Sequence, residues 1–385
     1  MSEARYEVPS FNSVSDMRDA LEAKRAFIKT PGLAKPVYYR DGTPELGQVE
    51  VDLAGLAGVN PETLMAYNTG MSAGTDSIDV ALDAANTRSP VLACAYETYT
   101  QTKRYIENFI RNKRADVYYF DGGNPDHVAE VLEKRQPDVV VAESIGNFVN
   151  EPVLDIEHLL EQARQSKKRP VLVLDHTFPL STGMPLGERL TGEDQIIVNE
   201  SGTKSYILNG DMLGVAYTAN EELFDRLRRL RRTRGSLPGP SHTAEIQRLL
   251  PESREVFNKR NCRIFKSTGD IAIQLAGAAP DGNIIVQHPA ITSHANHELY
   301  ERIYPDGGAP VLYISSATVD QYTLADRLWA SDEVQAEASR LGQSFGFDYA
   351  RIVADEDVGA VRIAGGSETD AKHFGEACIK ALYID

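Results

Sequence analysis

The sequence predicts an α/β protein: a mostly parallel sheet covered by helices in a large N-terminal unit, followed by a smaller α+β unit. Three observations carry this. From about residue 51, short and uniformly apolar runs alternate with amphipathic stretches, the pattern of strands buried on both faces and joined by crossover helices. The alternation stops at GSLPGPSH (235–242), which reads as a linker. Beyond it the apolar runs are short and the order is mixed, as an α+β unit requires.

Residues 1–50 are polar and punctuated by Pro and Gly, which suits an arm that packs on something else. The expected strands are PVLACA (90–95), DVYYF (116–120), DVVVA (138–142), PVLVL (170–174), QIIVN (195–199) and GVAYT (214–218). Helical patterns lie between several of them, as at 126–136 and 155–168. In the smaller unit, NIIVQ (283–287) and APVLYIS (309–315) read as strands, and 321–342 and 367–382 as helices.

A formal charge of −16 repels nucleic-acid backbones and anionic membranes, so a small molecule is the expected partner. The strongest basic run, Arg226–Arg234, lies on an amphipathic pattern starting near Glu221. It is expected to be a solvated helix face or a subunit contact, with nucleic-acid binding as its rival. No apolar run approaches the ~18 to 20 residues that span a bilayer, and MSEARYEVPS lacks the layout of a secretory signal, so a cytoplasmic location is expected. Cys94, Cys262 and Cys378 are far apart and form no CxxC pair, and His294 and His297 are expected to be structural rather than metal ligands.

Ligands of open parallel sheets bind beyond the carboxyl ends of the strands. Here those ends deliver Tyr96, Glu143 with Asn147, Asp175, and the run Ser201-Gly202-Thr203-Lys204. A lysine that forms a Schiff base must be reachable, partly desolvated and close to a phosphate anchor. Ser201 and Thr203 place two hydroxyls directly before Lys204. An acid such as Asp175 keeps a pyridine nitrogen protonated and makes the ring an electron sink, although a strand-terminal cap is an equal reading of Asp175 alone. Tyr67–Ser77 leads small residues into a helical pattern, where the amides of Gly70 and Met71 can receive an anion; a helix start capped by Thr69 or Ser72 is the alternative. His176 either orients Asp175 or packs as a neutral ring. Together these residues point to pyridoxal 5′-phosphate (PLP).

The same motifs resemble the Cys/Met-metabolism family of PLP enzymes, the group of cystathionine γ-synthase, cystathionine lyases and methionine γ-lyase. Tyr38-Tyr-Arg40-Asp-Gly is similar to the segment whose Tyr and Arg reach a neighbour's cofactor phosphate. Thr69-Gly-Met-Ser resembles its phosphate turn, Glu143-Ser-Ile-Gly-Asn147 the segment whose Asn contacts the ring hydroxyl, and Leu174-Asp-His-Thr-Phe with Ser201-Gly-Thr-Lys204 the acid and lysine segments. His288-Pro-Ala-Ile-Thr-Ser-His and Val361-Arg-Ile-Ala-Gly-Gly are also similar, the latter to a segment whose Arg binds the substrate carboxylate.

The resemblance implies PLP fold type I, the aspartate-aminotransferase-like architecture. It divides the chain into an arm contacting the neighbouring subunit (1–50), a PLP-binding large domain (51–235) and a C-terminal small domain (236–385). It implies a Schiff base on Lys204, which also shuttles protons, with Asp175 and Tyr96 as the other catalytic residues. The cofactor site is expected from Tyr38, Arg40, Gly70, Met71, Tyr96, Asn147, Asp175, Ser201 and Thr203, and the substrate site from Arg362, Ser344 and Glu97. Glu97 is a departure, standing where the family has Gly after the ring-stacking Tyr; Pro251 is another, breaking a helix pattern at Arg248-Leu-Leu-Pro. The implied activity is elimination or replacement at Cγ of an L-amino acid, by an enzyme that is at least a dimer, with a tetramer expected. The alternatives are β-elimination, or a specialised natural-product enzyme acting on a halogenated or unsaturated amino acid, for example one forming an alkyne.

Overall fold

The computed structural model describes residues 42–279, 283–339 and 344–383. Helix α1 (Pro44–Ala57) opens with Pro44 at its first position and Thr43 capping the Leu46 amide at 3.1 Å, and closes on Gly58 at φ 70°. Its buried stripe of Leu46, Val49, Leu53 and Leu56 recurs at helical spacing, so it is core rather than arm, and it crosses the expected boundary at residue 50. Then follow β1 (Leu64–Tyr67), α2 (Gly70–Ala84), β2 (Val91–Ala95), α3 (Thr100–Arg111), β3 (Asp116–Phe120), α4 (Pro125–Arg135), β4 (Val139–Glu143), α5 (Ile156–Gln165), β5 (Val171–Asp175), α6 (Leu180–Gly183), β6 (Ile196–Glu200), α7 (Gly202–Ser205) and β7 (Gly214–Tyr217).

These seven strands form one sheet in the order β1-β7-β6-β5-β4-β2-β3. Strands β2 to β6 are mutually parallel, and β7 runs antiparallel to both neighbours. Every residue of β4 and β6 is buried, which is why those strands read as unbroken apolar runs. Strand β1 has no counterpart among the expected strands: it is four residues long, runs straight into the Tyr67–Ser77 turn, and has no alternation of its own.

Helices α8 (Glu221–Arg234), α9 (Pro240–Leu249) and α10 (Arg254–Gly277) lead to a second sheet. The expected linker at 235–242 is shorter than its composition suggested. Gly235 at φ 68° ends α8, Pro240 begins α9, and the Ser236 carbonyl is tied to the Asn68 amide at 2.8 Å. Pro251 falls between α9 and α10, as a helix breaker should.

The second sheet takes β8 (Ile284–Gln287), β9 (Val311–Ser316), β10 (Ala338–Ser339), β11 (Ala350–Asp355) and β12 (Ala360–Ala364) in the order β10-β11-β12-β9-β8. It is antiparallel except for the β10–β11 pair. Helix α11 (His297–Ile303) precedes β9. The helix expected over 321–342 is two, α12 (Gln321–Trp329) and α13 (Asp332–Glu337), because Ser331 caps the Val334 amide and starts a new one. Helix α14 (Ala371–Tyr383) starts four residues later than expected, where the Asp370 carboxylate receives the Lys372 and His373 amides.

Three arginines of the basic run on α8 are paired with other elements of the molecule. Arg226 meets Asp83 at 2.5 Å and Glu222 at 2.7 Å, Arg231 meets Glu50 at 2.5 Å, and Arg234 bonds Asp76 at 2.6 Å and also Asp79. These pairs pin α8 to α1 and α2. Among the described residues no helix is long and apolar enough to cross a membrane.

Candidate active site

A cavity of about 430 Å³ opens where the carboxyl ends of β4, β5 and β6 face the second sheet. It falls within the ~300–1,000 Å³ of small-molecule sites. At one end stands the start of α2. Thr69 caps it by accepting the Ser72 amide at 2.9 Å, and its carbonyl takes the Ala73 amide at 3.1 Å. Of the first-turn donors, those of Gly70 and Met71 remain at the positive end of the helix, on the cavity wall. The cap and the anion site are therefore compatible.

Gly70 packs tightly on Ser201: a Cβ there would stand 2.9 Å from Ser201 Cβ and 3.0 Å from both its Cα and Oγ. Gly202 lies as tightly against Leu213, and Gly214 lies so close to the Thr69 carbonyl that any side chain would collide. Small residues thus let two turns meet and form a cradle. Thr203 lines it too, but its hydroxyl accepts from the Leu213 amide at 2.8 Å and donates to the Leu213 carbonyl at 3.2 Å, which fixes the loop carrying Lys204.

Asp175, Lys204 and Asn147 also line the cavity. Asp175 ends β5 beside Glu143 of β4 and Asn199 of β6. Its carboxylate accepts the Thr177 amide at 2.9 Å. Burial pushes the Asp175 carboxyl up; bonds from Thr177 and Asn199 and the charge of Lys204 oppose that. Glu143 is held well above the usual carboxylate range by burial and by Asp175 alongside, and its two oxygens receive the Tyr99 amide at 2.5 Å and the Asn147 amide at 3.0 Å. It fixes the backbone of two cavity residues. Burial lowers the Lys204 amine to about 8, with the positive charge of Arg362 adding to the effect and Asp175 opposing it. Lys204 Nζ lies 5.7 Å from the centre of the Phe345 ring.

The far wall comes from the second sheet. Arg362 of β12 pairs with Asp355 Oδ2 of β11 at 3.2 Å, both side chains being mostly buried. Ser344 also lines the cavity and donates to Asn209 Oδ1 at 2.7 Å. Behind this wall Glu151 is fully buried at φ 38°, with neither carboxylate oxygen hydrogen-bonded among the described residues.

Two expected residues lie away from the cavity. Tyr96 is 54% exposed and stacks on Tyr119, with ring centres 5.6 Å apart and planes 16° apart, outside the cavity. The chain turns directly after β2, and the tyrosine that reaches the cavity is Tyr99, placed by the Glu143 carboxylate on its amide. Glu97 does not face the cavity either. It is buried beside Gly146 and Pro152, and its carboxylate accepts the Gly122 amide at 3.1 Å, so it braces the turn after β3. The signal for Tyr99 was its place at the start of α3, in Tyr99-Thr-Gln-Thr102.

His176 is a packed ring: it bridges Ser144 Oγ at 2.6 Å and the Met184 carbonyl at 3.0 Å, and burial lowers it to about 4. Tyr38 and Arg40 lie outside the described residues. The remaining expected residues, Gly70, Met71, Asn147, Asp175, Ser201, Thr203, Lys204, Ser344 and Arg362, all line one cavity. This set fits PLP: amides and a hydroxyl in a cradle for a dianion, an amine for its aldehyde, a carboxyl for its ring nitrogen and an amide for its ring hydroxyl.

The family model described as Cys/Met metabolism PLP-dependent enzyme matches residues 10–344. No curated protein sequence matches the chain. Among solved structures, it is similar to a cystathionine gamma synthase from Xanthomonas oryzae pv. oryzae in complex with cystathionine, at 19% identity and TM-score 0.73, covering 91% of this chain and 89% of that one. It is similar to metB from Corynebacterium glutamicum at 19% identity and TM-score 0.73, covering 92% and 89%. It is also similar to CalE6, a methionine gamma lyase from Micromonospora echinospora, at 19% identity and TM-score 0.70, covering 90% and 88%. At such identity the likeness shows the fold, which is PLP fold type I.

Proposed function

From the premise that the chain belongs to the Cys/Met-metabolism family of PLP-dependent enzymes, we propose that it eliminates or replaces a substituent at Cγ of an L-amino acid, with Lys204 as cofactor anchor and proton shuttle. The observation that carries this is Lys204 itself: a desolvated amine lowered to about 8, in one cavity with Asp175 and Arg362. Gly70, Met71 and Ser201 would hold the cofactor phosphate, Asp175 its ring nitrogen and Asn147 its ring hydroxyl. Bound there, PLP supplies an electron sink for charge developed at Cα.

The protein's own groups do the rest. Arg362 takes the substrate carboxylate, sharing its guanidinium with Asp355, since its five donors serve two acids. Lys204 removes the Cα proton, releases it to the medium and, neutral again, removes a Cβ proton; near neutral pH it exchanges protons readily because its affinity for them lies near that of the medium. Tyr99 takes the role expected of Tyr96. Burial pushes its phenol up, against the pull of Arg362, so it stays protonated and can donate to a leaving group on Cγ. The presence of a cystathionine gamma synthase and a methionine gamma lyase among the structures it is similar to supports the choice of Cγ.

A dimer, with Tyr38 and Arg40 serving the neighbour's phosphate, and the division at 235/236 belong to the same proposal. The test is to incubate the holoenzyme with L-amino acids carrying leaving groups at Cγ or at Cβ and to identify products by mass spectrometry. Products from the γ-substituted set are expected; turnover of the β-substituted set alone would overturn the assignment to Cγ.

A further inference from the structure

Tyr313 has no place in the scheme above, yet it touches both halves of the site. It lies on β9 directly opposite Arg362 of β12 and is fully buried. Its hydroxyl donates to Asn147 Oδ1 at 3.0 Å and is also hydrogen-bonded to the Arg362 guanidinium. A guanidinium only donates, so the Tyr313 oxygen accepts from Arg362 and its single proton goes to Asn147. That proton decides which way the amide faces. With Oδ1 occupied by Tyr313, Asn147 presents its N–H₂ to the rest of its surroundings, the cavity included.

We propose that Tyr313 is a positioning residue that aims Arg362 at the substrate carboxylate and orients Asn147 as a donor to the cofactor ring hydroxyl. This rests on the site assignment above and extends it to a residue outside the cavity lining. Arg362 is then held from two sides, by Asp355 at 3.2 Å on its own hairpin and by Tyr313 on the adjacent strand. A guanidinium so held loses little freedom on taking a carboxylate. The relay also joins the two sheets: Asn147 follows β4 of the large sheet, whereas Tyr313 and Arg362 belong to the small one.

The test is Tyr313→Phe, which keeps the ring volume and removes only the hydroxyl. The holoenzyme is titrated with an L-amino acid and with the amine that lacks its carboxylate, following the visible spectrum, and the PLP dissociation constant of the apoprotein is measured. The expected results are amino-acid binding weakened about 10-fold or more, the scale of one lost hydrogen bond to a charged partner, amine binding within about twofold of wild type, and PLP affinity lowered about 3- to 10-fold, the scale of one lost neutral hydrogen bond. In an Asn147→Ala background the PLP effect of Tyr313→Phe should vanish while the amino-acid effect persists. This cycle separates the relay from general loosening of the fold, which would weaken amine and amino acid alike. Equal weakening of both ligands, or wild-type behaviour in both titrations, overturns the inference. If borohydride fails to fix PLP on Lys204 in the wild type, the site assignment fails and takes this inference with it; if Lys204 is labelled and Tyr313→Phe is silent, only this inference fails.

Discussion

Gly70→Ala is the sharpest perturbation of the phosphate cradle. The new Cβ would stand 2.9 Å from Ser201 Cβ and 3.0 Å from Ser201 Cα and Oγ, whereas carbon atoms pack without strain only at ~3.5–4.0 Å. Because one of the three atoms belongs to the Ser201 backbone, a rotamer change cannot relieve the overlap. The start of α2 and the Ser201 turn must part by roughly half an ångström. Overpacking of this kind costs ~1–3 kcal/mol, and it falls where the Gly70 and Met71 amides and the Ser201 hydroxyl converge. Losing one charge-assisted hydrogen bond there, ~1.5–3 kcal/mol, weakens PLP binding about 10- to 100-fold. The assay is titration of apoprotein with PLP by visible absorbance. Gly55→Ala, in α1 with nothing near its would-be Cβ, is the control and should bind PLP as wild type does. A folded Gly70→Ala protein binding PLP within twofold of wild type would refute the cradle.

Two further outcomes follow from the same geometry. Tyr99→Phe should lower turnover about 100-fold, the scale of one general acid, with the cofactor spectrum retained, while Tyr96→Phe should leave turnover unchanged; steady-state rates on the substrate found by the product screen decide between them. The apoprotein should gain stability as pH rises. Lys204 is lowered to about 8 when folded against 10.5 in the open chain, so between those values the unfolded chain binds more protons. The contribution is complete above about 10.5 and is lost as pH falls through about 8. A lowering of that size limits the contribution to less than about 3.5 kcal/mol. Urea unfolding of apo wild type and Lys204→Met across pH 7 to 11 should show this slope in the former and its loss in the latter.

Much of this molecule is legible in its sequence because the central strands are buried on both faces and announce themselves as apolar runs. Their last residues then fall on one rim, which is how Asp175, Asn147, Ser201 and Lys204 could be placed together. What periodicity does not reveal is how the chain turns after a strand. Tyr96 and Tyr99 stand three residues apart, and only the fold of the turn, held by Glu143 on the Tyr99 amide, sends one outward and the other into the cavity. Glu97 faces the β3 turn for the same reason. Tyr313 lies mid-strand and reads as core; its importance comes from the residue opposite it, which pairing alone determines. Strand β1 was too short to show a period, and the break between α12 and α13 depends on a single capping serine.

The central claim is that Lys204 carries the cofactor. Borohydride reduction of the holoenzyme followed by peptide mapping tests it most directly. The account predicts one peptide with the mass of reduced PLP added at Lys204, and no visible absorbance or labelled peptide in Lys204→Ala. Labelling of another lysine, or a holo-like spectrum in Lys204→Ala, would contradict it.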